Sequence, residues 1–257
     1  MTMSEIDPLG RFSDRVDDYV KYRPGYPPQV LEIMKEEYGF TPWSVVADIG
    51  SGTGILTRLL LDHGNMVWGV EPNAAMRAAA EEALEDNPLF ASVAASAEAT
   101  SLPAGSIDFI TAGQAFHWFD RARTREEFIR ILKPGGWMVL VWNDRRLDTT
   151  PFLKEYEALL QRFGTDYAAV RHQDLDLAQV KEFTRSEAAR MVLLDNTQML
   201  DLDGLRGRLL SSSYTPGVGH PDREPMLREL ERIFDDCQSG GRIAFEYDTK
   251  IYCSQLA

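Results

Sequence analysis

Between residues 45 and 64 the apolar spacing changes period, and that change constrains the fold more than any other feature of the chain. Val45-Val46-Ala47-Asp48-Ile49 is a short β-branched run that stops at Gly50, so it reads as a buried strand. Ile55, Leu56, Leu59 and Leu60 then fall at helical spacing, and Gly64 closes the segment as a C-terminal glycine does. The unit is a strand, a glycine-rich turn and a helix. It recurs at once: Met66–Val70 reads as a second strand, Pro72-Asn73 as a helix start, and Ala75, Met76, Ala79, Ala80, Ala83 and Leu84 share one helical face. Further strands are expected at Phe90–Ala94 and Ile107–Ala112. A helix with Phe128, Ile129, Ile131 and Leu132 inward must end near Lys133, because Pro134 disfavours helical geometry in the residue before it. Gly135-Gly136 then turns into Trp137–Trp142, a strand apolar on both faces and so central.

Strands alternating with helices of this length imply an α/β fold, a doubly wound and mostly parallel sheet with helices on both sides. Its ligand crevice lies at the C-terminal ends of the strands. Residues 150–240 read differently. Phe152, Leu153, Tyr156, Leu159, Leu160 and Phe163 make one amphipathic helix, and Met226, Leu227, Leu230, Ile233 and Phe234 another. Arg190–Leu194 reads as a strand, and Ile243, Phe245, Tyr247, Thr249 and Ile251 alternate as in a half-exposed antiparallel edge strand. The expected organisation is therefore an N-terminal lid and helix over 1–39, a core over 40–149, and 150–257 as cap plus sheet completion. Within the last part, 150–185 and 196–241 are helical insertions over the crevice. Residues 186–195 and 242–252 bring the sheet to seven strands, the last antiparallel.

Charge narrows the partners. Forty acidic residues against 27 basic ones give a net charge of −13, and Lys and Arg are scattered, so nucleic acid is not expected. The start lacks a basic n-region and an apolar h-region, and Trp137–Trp142 is far too short to span a bilayer. No membrane association follows. Cys237 and Cys253 form neither a Cys-x-x-Cys pair nor a four-ligand set, and His63, His172 and His220 have no ligand spacing with carboxylates. No metal is expected, and two reduced thiols suit a cytoplasmic monomer or homodimer.

The chemistry-bearing segment is Asp48-Ile49-Gly50-Ser51-Gly52-Thr53-Gly54, where glycines let backbone approach a ligand and turn N–H groups toward it at a helix N-terminus. A dinucleotide fingerprint needs Gly-x-Gly-x-x-Gly, and Ile55 stands where the third glycine belongs. Taken by itself the turn also fits a tight connection with no ligand. Glu71, at the end of the second strand, can accept hydrogen bonds from the vicinal hydroxyls of a ribose, as it would for any adenosine-type ligand.

Five segments then stand in order: Val46-Ala-Asp-Ile-Gly-Ser-Gly-Thr-Gly54, Gly69-Val-Glu-Pro-Asn-Ala-Ala-Met76, Ser96-Ala-Glu-Ala-Thr-Ser-Leu-Pro103, Ser106-Ile-Asp-Phe109 and Leu132-Lys-Pro-Gly-Gly136. In that order and spacing they resemble the class I S-adenosylmethionine-dependent methyltransferases, specifically the small-molecule branch with ubiquinone/menaquinone-type and trans-aconitate-type members. The resemblance covers about residues 40–145. It implies S-adenosyl-L-methionine as cofactor, S-adenosyl-L-homocysteine as product, and in-line methyl transfer to a small-molecule acceptor. It further implies that Asp48 with Gly50, Ser51, Gly52 and Gly54 holds the methionine moiety. Glu71 and Pro72 would then meet the ribose, and Met76 one side of the adenine. Ser96, Ala97 and Glu98 would line the adenine edge, the Ala97 amide donating to a ring nitrogen.

After the fourth strand comes Gly113-Gln114-Ala115-Phe116-His117-Trp118. In relatives such a stretch faces the methyl group, which puts Gln114 in the cofactor set. Two readings of His117 stand: a general base or substrate ligand, and a packed ring bonded to backbone. Residues up to Tyr26 interleave Phe12, Tyr19, Tyr22 and Tyr26 with charges, giving no clean apolar face, and are expected to act as a lid. Relatives carry a similar tyrosine and Arg-Pro pattern. Tyr22 and Arg23 join the cofactor set on that resemblance, Arg23 pairing with the cofactor's carboxylate or standing solvated. Two other readings stay open: a non-catalytic S-adenosylmethionine-binding protein, and an NAD-dependent oxidoreductase, against which the glycine spacing argues.

Overall fold

A computed structural model describes residues 21–167 and 175–256. The chain runs through α1 (Gln29–Tyr38), β1 (Val46–Ile49), α2 (Ile55–Asp62), β2 (Val67–Val70), α3 (Ala74–Leu84) and β3 (Phe90–Val93). It continues with β4 (Ile107–Gly113), a 3-10 turn (Phe116–Trp118), α4 (Arg121–Ile131) and β5 (Leu132–Arg145). The last part holds α5 (Pro151–Phe163), α6 (Leu177–Thr184), β6 (Arg190–Leu200), α7 (Leu202–Leu210), α8 (Arg223–Cys237) and β7 (Ile243–Ser254). Seven strands form one sheet in the order β3-β2-β1-β4-β5-β7-β6. Neighbours from β3 to β5 are parallel, and β7 is antiparallel to both β5 and β6. The doubly wound, mostly parallel sheet is the one expected. Its strand order reverses between β1 and β4, which sets the ligand crevice beyond Ile49 and Gly113.

Period-two alternation along the inner strands explains the two layers. Ala47, Ile49, Ile110, Ala112, Met138 and Leu140 join Phe128 and Ile131 of α4 and Val180 and Phe183 of α6 in one core. Val46, Phe109, Val139 and Val141 join Val30 and Met34 of α1 and Leu56 and Leu60 of α2 in the other. Each fully buried side chain of this size stabilises the fold by about 1.5–3 kcal/mol.

The last third differs from expectation in three places. β7, expected at an edge, is internal, and β6 is the edge strand. Alternation reports which faces are covered; it carries no information about which hydrogen-bonding edges are paired. Asn196–Leu200, expected in a helical insertion, extends β6, because each residue pairs with Tyr247–Ile243 of β7. The partner strand, rather than an apolar pattern of its own, holds that segment extended. Finally, α6, expected in the cap, joins the core on one face of the sheet: Val180 and Phe183 share it with Ile110, Met138, Leu140 and Tyr252, and Phe183 meets Phe116 and Phe128 edge-on at 4.8 and 6.0 Å.

The cap itself consists of α5, α7 and α8 gathered over the protruding ends of β6 and β7. Phe152, Tyr156, Leu205, Leu209, Leu230 and Phe234 pack there against Leu200, Phe245 and Tyr247. Most of the expected lid, including Phe12 and Tyr19, lies outside the described residues. No helix among the described residues is long and apolar enough to cross a membrane.

Candidate functional site

The loop after β1 takes the backbone shape that its glycines permit. Gly50, Gly52 and Gly54 have φ of +67°, +58° and +84°, in the left-handed region that side chains resist. At Gly50 a Cβ would lie 2.5 Å from the Ala115 Cβ, so glycine is needed for close approach as well. The Gly50 and Ser51 amides donate to the Val70 carbonyl at 2.8 and 3.2 Å, which holds the loop against the end of β2.

Asp48 lies beneath this loop, fully buried. Its Oδ2 accepts from Thr57 Oγ1 at 2.6 Å and its Oδ1 from Thr111 Oγ1 at 3.0 Å. The carboxylate thus pins β1 to the first turn of α2 on one side and to β4 on the other. Burial pushes its pKa up to about 6, with the Glu71 charge adding to the rise and the two threonines opposing it. Both carboxylate oxygens are thus engaged by threonines below the loop.

Glu71 is nearly buried at the end of β2. Its Oε1 accepts from the Asn73 amide at 2.8 Å and its Oε2 from the Gly52 amide at 2.9 Å. A carboxylate offers about four acceptor positions, so two stay open. Desolvation raises its pKa, against those two amides and Arg77. Asn73 caps α3 by accepting from Ala75 and Met76 at 3.0 Å. That fixes the buried Met76 in the first turn of α3, with Pro72 exposed between the strand and the cap.

The Ser96–Glu98 segment is folded on itself by the Ser96 and Ala99 bridge, with Ala97 buried. Glu98 Oε1 accepts from the Asp120 amide at 2.9 Å and so ties the segment to the start of α4. Desolvation would raise the Glu98 pKa, but hydrogen bonds from Ser96 and Asp120 outweigh it and hold it low.

Gln114 sits at φ +55° just past β4, its amide donating to the Val141 carbonyl at 3.1 Å and its side-chain oxygen accepting from the Asn143 amide. That side chain therefore belongs to the β4–β5 join. His117 lies between aromatic rings, 4.5 Å from Trp118 and 5.2 Å from Trp142 between centroids.

Residues 22–26 cross this end of the sheet as a strap. A Cβ on Gly113 would come within 2.5 Å of the Tyr26 hydroxyl, so Tyr26 rests directly on the last residue of β4. The Gly25 carbonyl accepts from Asn143 Nδ2 at 3.2 Å and Asn196 Nδ2 at 3.0 Å, and the Tyr22 carbonyl from Gln198 Nε2 at 3.0 Å. Arg23 Nη2 donates to the Ser211 carbonyl at 2.8 Å, and the Tyr22 ring covers Gly207 of α7. Tyr22 and Arg23 thus join the strap to the cap. The asparagines that hold it have no periodic signature, and the sequence reading missed them. It also missed Arg208, although a cation at the spacing of Leu205 and Leu209 on an apolar helix face was a visible signal.

A methyltransferase domain family matches residues 47–140. An uncharacterized methyltransferase-like protein of Schizosaccharomyces pombe is 32% identical over 258 residues, covering 98% of each chain. Among solved structures, a candidate type II methyltransferase from Anaeromyxobacter dehalogenans shares the fold with a TM-score of 0.64 at 22% identity, over 91% of this chain and 98% of that one. The phosphoethanolamine N-methyltransferase 2 of Haemonchus contortus, solved with phosphomonomethylethanolamine and S-adenosylhomocysteine, has a TM-score of 0.55 at 18% identity. It covers 97% of this chain and 60% of its own.

Proposed function

The chain belongs to the class I S-adenosylmethionine-dependent methyltransferase family, and from that premise we propose that it transfers a methyl group from S-adenosylmethionine to a small-molecule acceptor. The observation that carries the reading is Glu71 at the end of β2, whose carboxylate keeps two acceptor positions open beside the glycine loop that follows β1 while its other two hold Gly52 and Asn73. Paired acceptors at that point suit a ribose, and the donor set around them suits the rest of an adenosyl sulfonium. Met76 and Ala97 supply apolar surface for the base, and the Gly50–Gly54 loop supplies close backbone. S-adenosylhomocysteine bound to the Haemonchus contortus enzyme supports this choice of ligand.

When bound, S-adenosylmethionine supplies an electrophilic methyl group that a nucleophile displaces in line. The chain's own part is then placement and exclusion of water. Asp48 keeps the loop in register through Thr57 and Thr111, and the strap carries Tyr26 over Gly113, which covers the crevice. Trp118, Trp142 and Phe119 offer ring faces suited to a cation, and His117 is the candidate base for an acceptor that must lose a proton. The two free cysteines suit a reducing compartment, so the activity is assigned to the cytoplasm.

The test is transfer itself. The purified chain, given S-adenosylmethionine with an isotopically labelled methyl group and a small-molecule extract, should pass the label to one or a few low-mass products and release S-adenosylhomocysteine. Binding of the donor with no labelled product from any extract would favour the non-catalytic binding reading instead.

A further inference from the structure

The cap holds a buried polar cluster that the cofactor site does not use. Arg208 is 6% exposed, and its guanidinium donates to the Tyr247 hydroxyl at 3.0 Å and to Ser212 Oγ at 3.1 Å, both neutral partners. Among the described residues no carboxylate stands within ion-pair distance of it. Across the cluster Arg145, at the end of β5, donates to Glu157 and, at 2.7 Å, to the Tyr167 hydroxyl. Tyr156 sits in the field of both arginines and of Tyr214 and Tyr247. Its hydroxyl and Arg145 Nη1 are buried and have no hydrogen-bond partner.

Among the described residues, the ion pair of Arg145 with Glu157 therefore leaves the Arg208 guanidinium without a carboxylate partner. The phenols do not balance the remaining charge, because burial pushes the Tyr156 and Tyr167 pKa values up and keeps both neutral. A buried, unbalanced cation beside unused donors is a costly arrangement unless an anion completes it. The cluster also faces the crevice side of the molecule: Tyr247 contacts Gln198, whose amide holds the Tyr22 carbonyl of the strap. A cleft of about 610 Å³ along α5 reaches the same cluster at Arg145 and Glu157, with Arg146, Lys154, Asp148 and Asp248 on its wall.

Resting on the methyl-transfer reading, we propose that this cluster is the acceptor's anion subsite, with Arg208 binding a carboxylate or phosphate of the acceptor and Tyr156 donating to it. The acceptor is then an anionic small molecule whose charged end lies under the cap, leaving its nucleophilic atom toward the strap and His117. Arg208 determines which acceptors are admitted and takes no part in the displacement.

Calorimetric titration of the whole chain, saturated with S-adenosylhomocysteine, tests this with sodium succinate and with inorganic phosphate, against chloride at matched ionic strength. One of the two anions should bind saturably; succinate alone would mark a carboxylate acceptor, and phosphate alone a phosphorylated one. Arg208→Gln should weaken that binding about tenfold or more, Arg208→Lys less, since lysine keeps the charge but not the fork. Tyr156→Phe should weaken it by several-fold on a fold of unchanged volume, and decides the matter if Arg208→Gln does not fold. Failure of both anions to bind while S-adenosylhomocysteine still does would overturn the anion subsite alone, as would undiminished binding in Tyr156→Phe and Arg208→Gln. Loss of S-adenosylhomocysteine binding by the wild-type chain would instead strike at the methyl-transfer reading.

Discussion

Asp48 is the residue whose charge and burial conflict most openly, and its pH dependence follows with a definite sign. The fold favours the neutral acid, so the stability it contributes is fully present below its ordinary value of 3.8 and is lost as pH rises through about 6. Asp48→Asn keeps the shape and removes the charge. Urea unfolding should show the variant gaining about 2–3 kcal/mol on the wild type between about pH 4 and about pH 7. A stability difference that does not move with pH would contradict a carboxylate whose charge burial disfavours. Glu71 makes a second case. Glu71→Ala removes the proposed ribose acceptor, and S-adenosylhomocysteine affinity should fall by about 1.5–3 kcal/mol in a calorimetric titration. Because the Gly52 and Asn73 amides also lose their acceptor, melting should fall somewhat too. Full affinity in a destabilised variant would leave Glu71 a purely structural residue. The position of Glu71 could be read from its place after a strand, whereas the partners of Asp48 could not. Thr57 and Thr111 lie 9 and 63 residues away and meet it only once α2 and β4 are docked.

Among elements, the strap over residues 22–26 joins what the sequence treats as separate parts: lid, sheet and cap. Asn143 of β5 and Asn196 of β6 hold Gly25, and Arg23 reaches the end of α7. An arm that only touched ligand would leave the ligand-free protein unaffected when altered. This one should not. Arg23→Ala removes a charge-assisted hydrogen bond worth about 1.5–3 kcal/mol, so melting should drop by several degrees. Hydrogen exchange should rise over Leu202–Ser212 in the same variant. Unchanged exchange there, with cofactor affinity reduced, would return Arg23 to a direct ligand role. The first five strands were legible because each is a β-branched or apolar run closed by glycine, proline or a polar turn. The second half of β6 was not legible, since Asn196, Thr197 and Gln198 are extended by pairing with β7 and by contacts to the strap. Long-range pairing leaves no local pattern to read.

At the scale of the molecule, one sheet carries two unlike ends. Near β1, β2 and β4 stand the glycine loop, Asp48 and Glu71, each singled out in the sequence by its place at a strand end. Over β5, β6 and β7 stands the cap, whose helices were legible and whose buried charges were not, because their meaning depends on which partners the fold denies them. The net charge of −13 gives the exterior an acidic field, which sharpens the contrast with the surplus cation held inside the cap. The crevice at the strand-order reversal is expected to take an adenosyl sulfur compound and not a dinucleotide. The measurement that decides this is calorimetric titration of the whole chain with S-adenosylhomocysteine, with S-adenosylmethionine and, separately, with NAD. The expected result is saturable one-to-one binding of S-adenosylhomocysteine, with the fold stabilised by about 2.7 kcal/mol at a hundredfold excess over Kd, and no heat from NAD. Binding of NAD, with none of either S-adenosylhomocysteine or S-adenosylmethionine, would contradict it.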